Sequence, residues 1–366
     1  MKTDSLSTLF QDPGPFASVY VEVSRDADQG DRVAGLAVRE AIDELTAQGA
    51  PEEVTRQVQE RLDEPTGEGA PISRCVVASE RGILLDRLVR RHRSESSAAW
   101  GRLPDITALL ADLSTGIPFV LCVVDHEGAD VSSYSADGVG VQAERSVGDS
   151  SEFEQNVKGG GWSQARFQRS AQQVWRQNAE EGATEVERQV RASGAELVVI
   201  AGDERSRGQV ADALPKQLAE VVVLDRAGRA ADGGDDALLE AVEEVLREQV
   251  VARNLGIAHE LSEHLGQGRA VAHGLDEVAA AFVQGQVDRL LLDQDAIDGL
   301  ELVTAAHPGF SLGAIDAAGV LPAGPALVAA AVVTSAEVSF AGKATLQGEP
   351  VAALLRWDSS PTQDEV

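Results

Sequence analysis

Nowhere in the 366 residues does an apolar run approach the roughly 18 that a membrane span needs, so no transmembrane helix is expected. The opening, MKTDSLSTLFQDPGPF, lacks the charged start and apolar stretch of a secretion signal, which leads us to expect a cytoplasmic protein. Cysteine is nearly missing. Cys75 and Cys122 lie in separate apolar, strand-like runs (SRCVVA and FVLCVV), which excludes a disulfide framework and predicts two buried free thiols in a reducing compartment. Positive charge is short as well: 31 basic residues face 60 acidic ones, a formal net charge of −29. A field of that sign disfavours nonspecific attachment to DNA, to other free nucleic acid and to anionic membranes.

Signatures of catalysis are equally scarce. In HELSEH, His259 and His264 stand five apart rather than the four of a helical zinc site, and no cysteine lies near. Neither a metal nor any other cofactor is expected. GVGVQA, from Gly138, has the spacing of a dinucleotide loop but is followed by ERSVGDSSE instead of a helix. GFSLG, residues 309–313, spells a nucleophile elbow around Ser311, yet Pro308 stands where a strand must lead in, so it reads as a glycine-rich turn. Among so many acids no carboxylate pair for acid–base work can be singled out.

The length argues for two or three domains, and 43% hydrophobic residues suffice for real cores. The pattern predicts three small α/β domains: 1–115, 116–253 and 254–366, the last ending in an acidic, polar, frayed tail over residues 358–366. In the first, FASVYVEVS alternates as a strand, GDRVAGLAVREAIDELTAQGA and PEEVTRQVQERLDEP are helices, and SRCVVASERGILLDRLV is a hairpin turning at Glu80–Gly82. In the second, IPFVLCVVDHEGADVSSYSA predicts two strands joined near His126–Gly128, and DGVGVQAERSVGDSSEFEQNV a long exposed excursion. A helix from about Trp162 to Ala192 follows, then strand, helix, strand and helix, which implies a mixed, mostly parallel sheet. The third alternates helix and strand from GLDEVAAAFVQGQVDRLLLDQD to VAALLRW and reads as an α/β sandwich.

Against the acidic background two stretches stand out. Residues 158–178, KGGGWSQARFQRSAQQVWRQN, contain no acid and combine Lys158, three glycines, Trp162, Gln164, Arg166, Arg169 and Arg176. Glycines 159 to 161 let a backbone approach another surface closely, a helix beginning after them offers free N–H groups to phosphate, and the Gln164 amide can orient a water without titrating. The second stretch, RGILLDRLVRRHR, sets Arg81, Arg87, Arg90, Arg91 and Arg93 against a single acid, Asp86. The plainer reading of both is a solvated charged face and a flexible loop capping a helix.

The order of parts, with KGGGWSQARFQR at the centre and VAALLRW at the end, resembles the archaeal and eukaryotic peptide-chain release factor family and its relative Pelota. Within it the chain is similar to the bacterial branch that includes the ribosome hibernation factor Balon. The resemblance implies a tRNA-like protein that occupies the ribosomal A site. Its first domain would lie near the decoding centre, its second would point at the peptidyl-transferase centre, and its third would face a translational GTPase such as elongation factor Tu. Gly160 and Gly161 match the glycines of the Gly-Gly-Gln tip, and Gln164 its glutamine. Here Trp162 and Ser163 intervene, a displacement of about 3 Å along a helix, and misplacement on that scale can cost about 100-fold in rate. No Asn-Ile-Lys-Ser codon-reading motif is present.

The resemblance therefore implies a non-catalytic hibernation factor that plugs idle or stalled bacterial ribosomes. In that role rRNA would be met by Lys158, Gly159, Gly160, Gly161, Trp162, Gln164, Arg166, Arg169, Arg176, Arg87, Arg90, Arg91 and Arg93. Two alternatives stay open: a peptidyl-tRNA hydrolase for ribosome rescue that uses Gln164, and a stress-linked adaptor with no ribosome contact.

Overall fold

The computed structural model describes residues 4–25, 28–69, 71–92, 96–125, 127–148, 164–225, 234–267 and 270–357. A 3-10 helix (Asp4–Gln11) precedes β1 (Phe16–Glu22), α1 (Asp28–Ala47), α2 (Glu52–Asp63), β2 (Ser73–Ser79), β3 (Gly82–Val89), β4 (Ser97–Gly101) and α3 (Thr107–Ser114). Then come β5 (Phe119–Val124), β6 (Ala129–Tyr134), β7 (Ala143–Val147), α4 (Gln164–Ser193), β8 (Leu197–Gly202), α5 (Glu204–Ala213), β9 (Glu220–Val223) and α6 (Gly234–Gly266). The chain continues through β10 (Val271–His273), α7 (Leu275–Val283), β11 (Val287–Leu292), α8 (Gln294–Ile297), β12 (Glu301–Val303) and β13 (Val320–Pro322). It ends with α9 (Ala323–Val333), β14 (Glu337–Phe340) and β15 (Val351–Leu355). This is a mixed α/β protein, and no described helix is long and apolar enough to cross a membrane.

Contacts divide the chain into two compact units, Met1–Ser114 with Arg253–Val366, and Thr115–Ala252. The first and last segments, expected as separate domains, share a single core. Phe10, Phe16, Tyr20, Leu109 and Leu110 from the one pack in a continuous cluster with Leu290, Leu292, Leu327 and Val351 from the other. Two four-stranded sheets carry this unit, ordered β3-β2-β1-β4 and β10-β15-β11-β14. Both faces of β1 are covered, which is why FASVYVE buries every residue but its last. One face meets α1 and α2, which bury Val38, Leu45, Val54, Val58 and Leu62. In α9 the small side chains of AGPALVAAAVV allow close approach all round, and Ala326 to Ala331 are buried almost completely.

The second unit is built on one five-stranded sheet, β7-β6-β5-β8-β9. Its central strands FVLCVV and LVVIAG are unbroken apolar runs because helices cover both faces. Val120, Cys122, Val198 and Ile200 face α4 and α5, while Leu121, Leu197 and Val199 face Val242 and Val245 of α6. The sheet is mixed as expected, but its parallel share is smaller. β5–β8 and β8–β9 are parallel, β5–β6 and β6–β7 antiparallel.

Three further differences have physical reasons. The expected excursion after β6 contains β7, an exposed edge strand whose AERSV carries little apolar signal of its own. The expected helix DDALLEAVEEVLREQVVARN runs on through HELSEHLG as α6: no proline interrupts it, Gly256 costs a helix only about 1 kcal/mol, and Ile257 and Leu261 are buried beyond it. β4 and α3, between the first hairpin and β5, are elements that the sequence pattern does not signal, both being short. Cys75 and Cys122 are buried free thiols, and burial pushes the Cys122 thiol up to about 12.

Candidate nucleic-acid interface

The basic stretch is carried by α4, whose C-terminal part is clamped to the sheet. Ala179, Ala183, Val186 and Val190 recur at helical spacing and are buried against β5, β6 and β8. Gly182 lets the helix approach β6 closely: a Cβ there would lie 3.1 Å from the Ala129 Cβ. Polar ties fix the register. Asn178 donates its Nδ2 to the Glu127 carbonyl at 3.2 Å, and Gln189 donates its Nε2 to the Val131 carbonyl at 2.9 Å. Glu185, buried in the same face, takes both Nε and Nη2 of Arg188 and lies 3.6 Å from Arg145 on β7. The Arg188 hydrogen bonds hold its carboxyl below the usual glutamate range, against the opposing effect of burial.

The N-terminal part of the helix is of different composition. No acid occupies its first turn. Positions 166, 169 and 176 fall within a sector of about 80° on a helix that turns about 100° per residue. Arg176 is exposed and pairs with Glu180 at 3.1 Å. Gln164 is the first residue of α4. Lys158, Gly159, Gly160, Gly161 and Trp162 lie outside the described residues, as does Arg93.

The second arginine group is less basic in space than in sequence, because acids from other elements neutralise it. Arg90 donates to Glu68 at 2.9 Å and to the Gly69 carbonyl at 3.0 Å, and Arg81 lies 3.7 Å from Asp12. Asp86 binds Arg74 at 2.7 Å and Arg61 at 2.6 Å. Burial raises the Asp86 carboxyl, but the two guanidinium groups outweigh it and hold it below the ordinary aspartate value. The half-buried Arg91 accepts the Ser73 hydroxyl through its carbonyl at 2.8 Å. Arg87 is exposed on β3 and makes no ion pair among the described residues. The two arginine groups belong to different units.

One cation escaped the sequence reading. Arg207 on α5 is buried, and its Nε and Nη1 have no hydrogen-bond partner among the described residues. Helical spacing was the available signal, since residue 207 shares its face with Val210 and Leu214, which pack against α4. Among the described residues no cluster of His, Cys, Asp or Glu could hold a metal.

Residues 118–267 match the family model described as bacterial archaeo-eukaryotic release factor family 2. The matched segment contains α4 and the five-stranded sheet that carries it. It is 25% identical over 306 residues to the uncharacterized protein Rv2629 of Mycobacterium tuberculosis, covering 80% of this chain and 79% of that one. Among solved structures it is similar to archaeal Pelota, ribosome-bound together with ABCE1, at 16% identity, TM-score 0.43, covering 98% of this chain and 94% of that one. It is also similar to S. cerevisiae Dom34, a translation termination-like factor interacting with Hbs1, at 9% identity, TM-score 0.43, with 99% and 94% covered.

Proposed function

We propose that this protein binds the bacterial ribosome and occupies the A site of idle or stalled particles as a hibernation factor. The observation that carries the reading is α4. Within a segment matched to a release-factor family, a long helix opens from an acid-free, arginine-bearing stretch in a chain of net charge −29. Phosphate is met best by guanidinium groups, which bind it in bidentate fashion, and a helix N-terminus without acids adds a favourable dipole. The clamp formed by Asn178, Glu185 and Gln189 supports this reading, because it fixes the root of α4 to the sheet behind its basic end. The acidic remainder keeps the protein off free nucleic acid, so binding needs the shape of the ribosomal cleft as well as its charge. A translational GTPase such as elongation factor Tu would be the partner that delivers it.

The test is co-sedimentation with purified ribosomes. Wild-type protein should pellet, and the Arg166→Glu, Arg169→Glu, Arg176→Glu variant should remain in the supernatant. Undiminished pelleting of that variant would refute the interface. A second reading is favoured by one observation, the position of Gln164 at the first residue of α4, shortly after the glycines. In that reading Gln164 orders a water that cleaves peptidyl-tRNA. Release of peptide from loaded ribosomes, lost in Gln164→Ala while pelleting persists, would establish the hydrolase; binding with no release would exclude it.

A further inference from the structure

The sheet β3-β2-β1-β4 ends on β4, whose one strand partner among the described residues is β1. On its other side, the Ala98 carbonyl and the Trp100 N–H are held by a single side chain. Gln48 donates its Nε2 to the Ala98 carbonyl at 3.3 Å and accepts the Trp100 N–H through Oε1 at 2.6 Å. Donating to one residue of an edge and accepting from the residue two further on is what the N–H and C=O of one residue in a parallel neighbour do. An exposed primary amide thus stands where the backbone of a fifth strand would stand.

Two cavities of about 1180 and 820 Å³ meet along this edge and share Ser96, Ser97, Ala99 and Asp105. The larger extends along α1; the smaller reaches residues 294–301 and the start of α9. Their walls are acidic, with Glu40, Glu44, Asp105, Asp295, Asp298 and Glu301. The basic groups on the walls are already engaged: Arg102 donates to the Ala318 and Val320 carbonyls at 2.6 and 3.1 Å, and His92 faces Glu22 at 2.5 Å. Thr107, on the wall of the smaller cavity, is 8% exposed, and its Oγ1 lacks a hydrogen-bond partner among the described residues.

We propose that the β4 edge is a docking site for an extended, positively charged peptide segment of a partner protein, which adds as a parallel fifth strand and displaces the Gln48 amide. An edge strand offers main-chain hydrogen bonds to any extended peptide, and here the carboxylate walls select its charge. Gln48 guards the edge while it is empty. The site lies in the unit that does not contain α4, and its test involves no ribosome, so it stands or falls apart from the function proposed above.

The test uses full-length protein and short fluorescent peptides followed by anisotropy. A peptide alternating lysine and valine should bind, and an alternating glutamate–valine peptide should not. Gln48→Ala should tighten binding by about tenfold, since the competing amide supplies one to two net hydrogen bonds. A lysine peptide of equal charge with prolines at alternate positions lacks the N–H groups and should bind about tenfold or more weakly. The Asp295→Asn, Asp298→Asn, Glu301→Gln variant should weaken binding of the lysine–valine peptide. Equal binding of the proline peptide, which would reduce the site to charge attraction, or unchanged or weaker binding to Gln48→Ala, would overturn the proposal.

Discussion

Gly202 closes β8 with φ at 117°, and a Cβ there would lie 1.8 Å from the Val124 carbonyl oxygen. That close crossing lets the Asp203 N–H reach the same carbonyl at 2.9 Å and start α5 with Asp203 as its cap. Gly202→Ala should therefore destabilise the fold by more than about 2 kcal/mol, read from denaturant unfolding, because strain and clash act together. Arg207 calls for the opposite outcome. Its buried guanidinium lacks partners for two nitrogens among the described residues, and an apolar chain of similar length removes a desolvated charge from that position. The melting temperature of Arg207→Met should equal or exceed that of the wild type; a clear fall would mean that the guanidinium is compensated. For Asp86 the sign follows from its lowered folded pKa. Its stabilising contribution is complete above the unfolded aspartate value of about 3.9 and is lost as pH falls through the lower folded value. Asp86→Asn should cost about 1–3 kcal/mol at neutral pH by leaving Arg74 without its carboxylate. The difference from wild type should shrink in melts below about pH 4; a pH-independent difference would exclude the ion pair as its cause.

At the scale of elements, α4 has two parts with different tasks. Its sheet-facing part was legible in the sequence, because Ala179, Val186 and Val190 keep helical spacing and nothing else in the segment competes with that period. The clamp was not legible: Asn178, Glu185 and Gln189 are ordinary polar letters until β6 and β7 come beside them. β7 escaped notice for the same reason, since its residues are mostly exposed and its pairing to β6 is set by the neighbour. The arginine group of β3 was legible as letters and misleading as charge, because Glu68 and Asp12 approach from distant sequence. This asymmetry makes a prediction. Charge reversal at Arg90 should weaken ribosome pelleting less than charge reversal at Arg166 and Arg169, and the reverse order would move the main contact to the first unit.

For the whole molecule, the shared core of the first and last segments could not be read from periodicity, which sees each helix and strand but not which sheet covers which. The net charge of −29 was fully legible and sets a condition on binding. If a few arginines carry the phosphate contacts, pelleting should decline steeply with added salt, with a slope set by the number of phosphates neutralised; insensitivity to salt would contradict that assignment. The most direct measurement for the central claim is competition on purified ribosomes between this protein and aminoacyl-tRNA for the A site. A protein that occupies the site should exclude the tRNA in proportion to its own binding, and the Arg166→Glu, Arg169→Glu, Arg176→Glu variant should not. Ribosomes that hold the protein and A-site tRNA together would contradict the account.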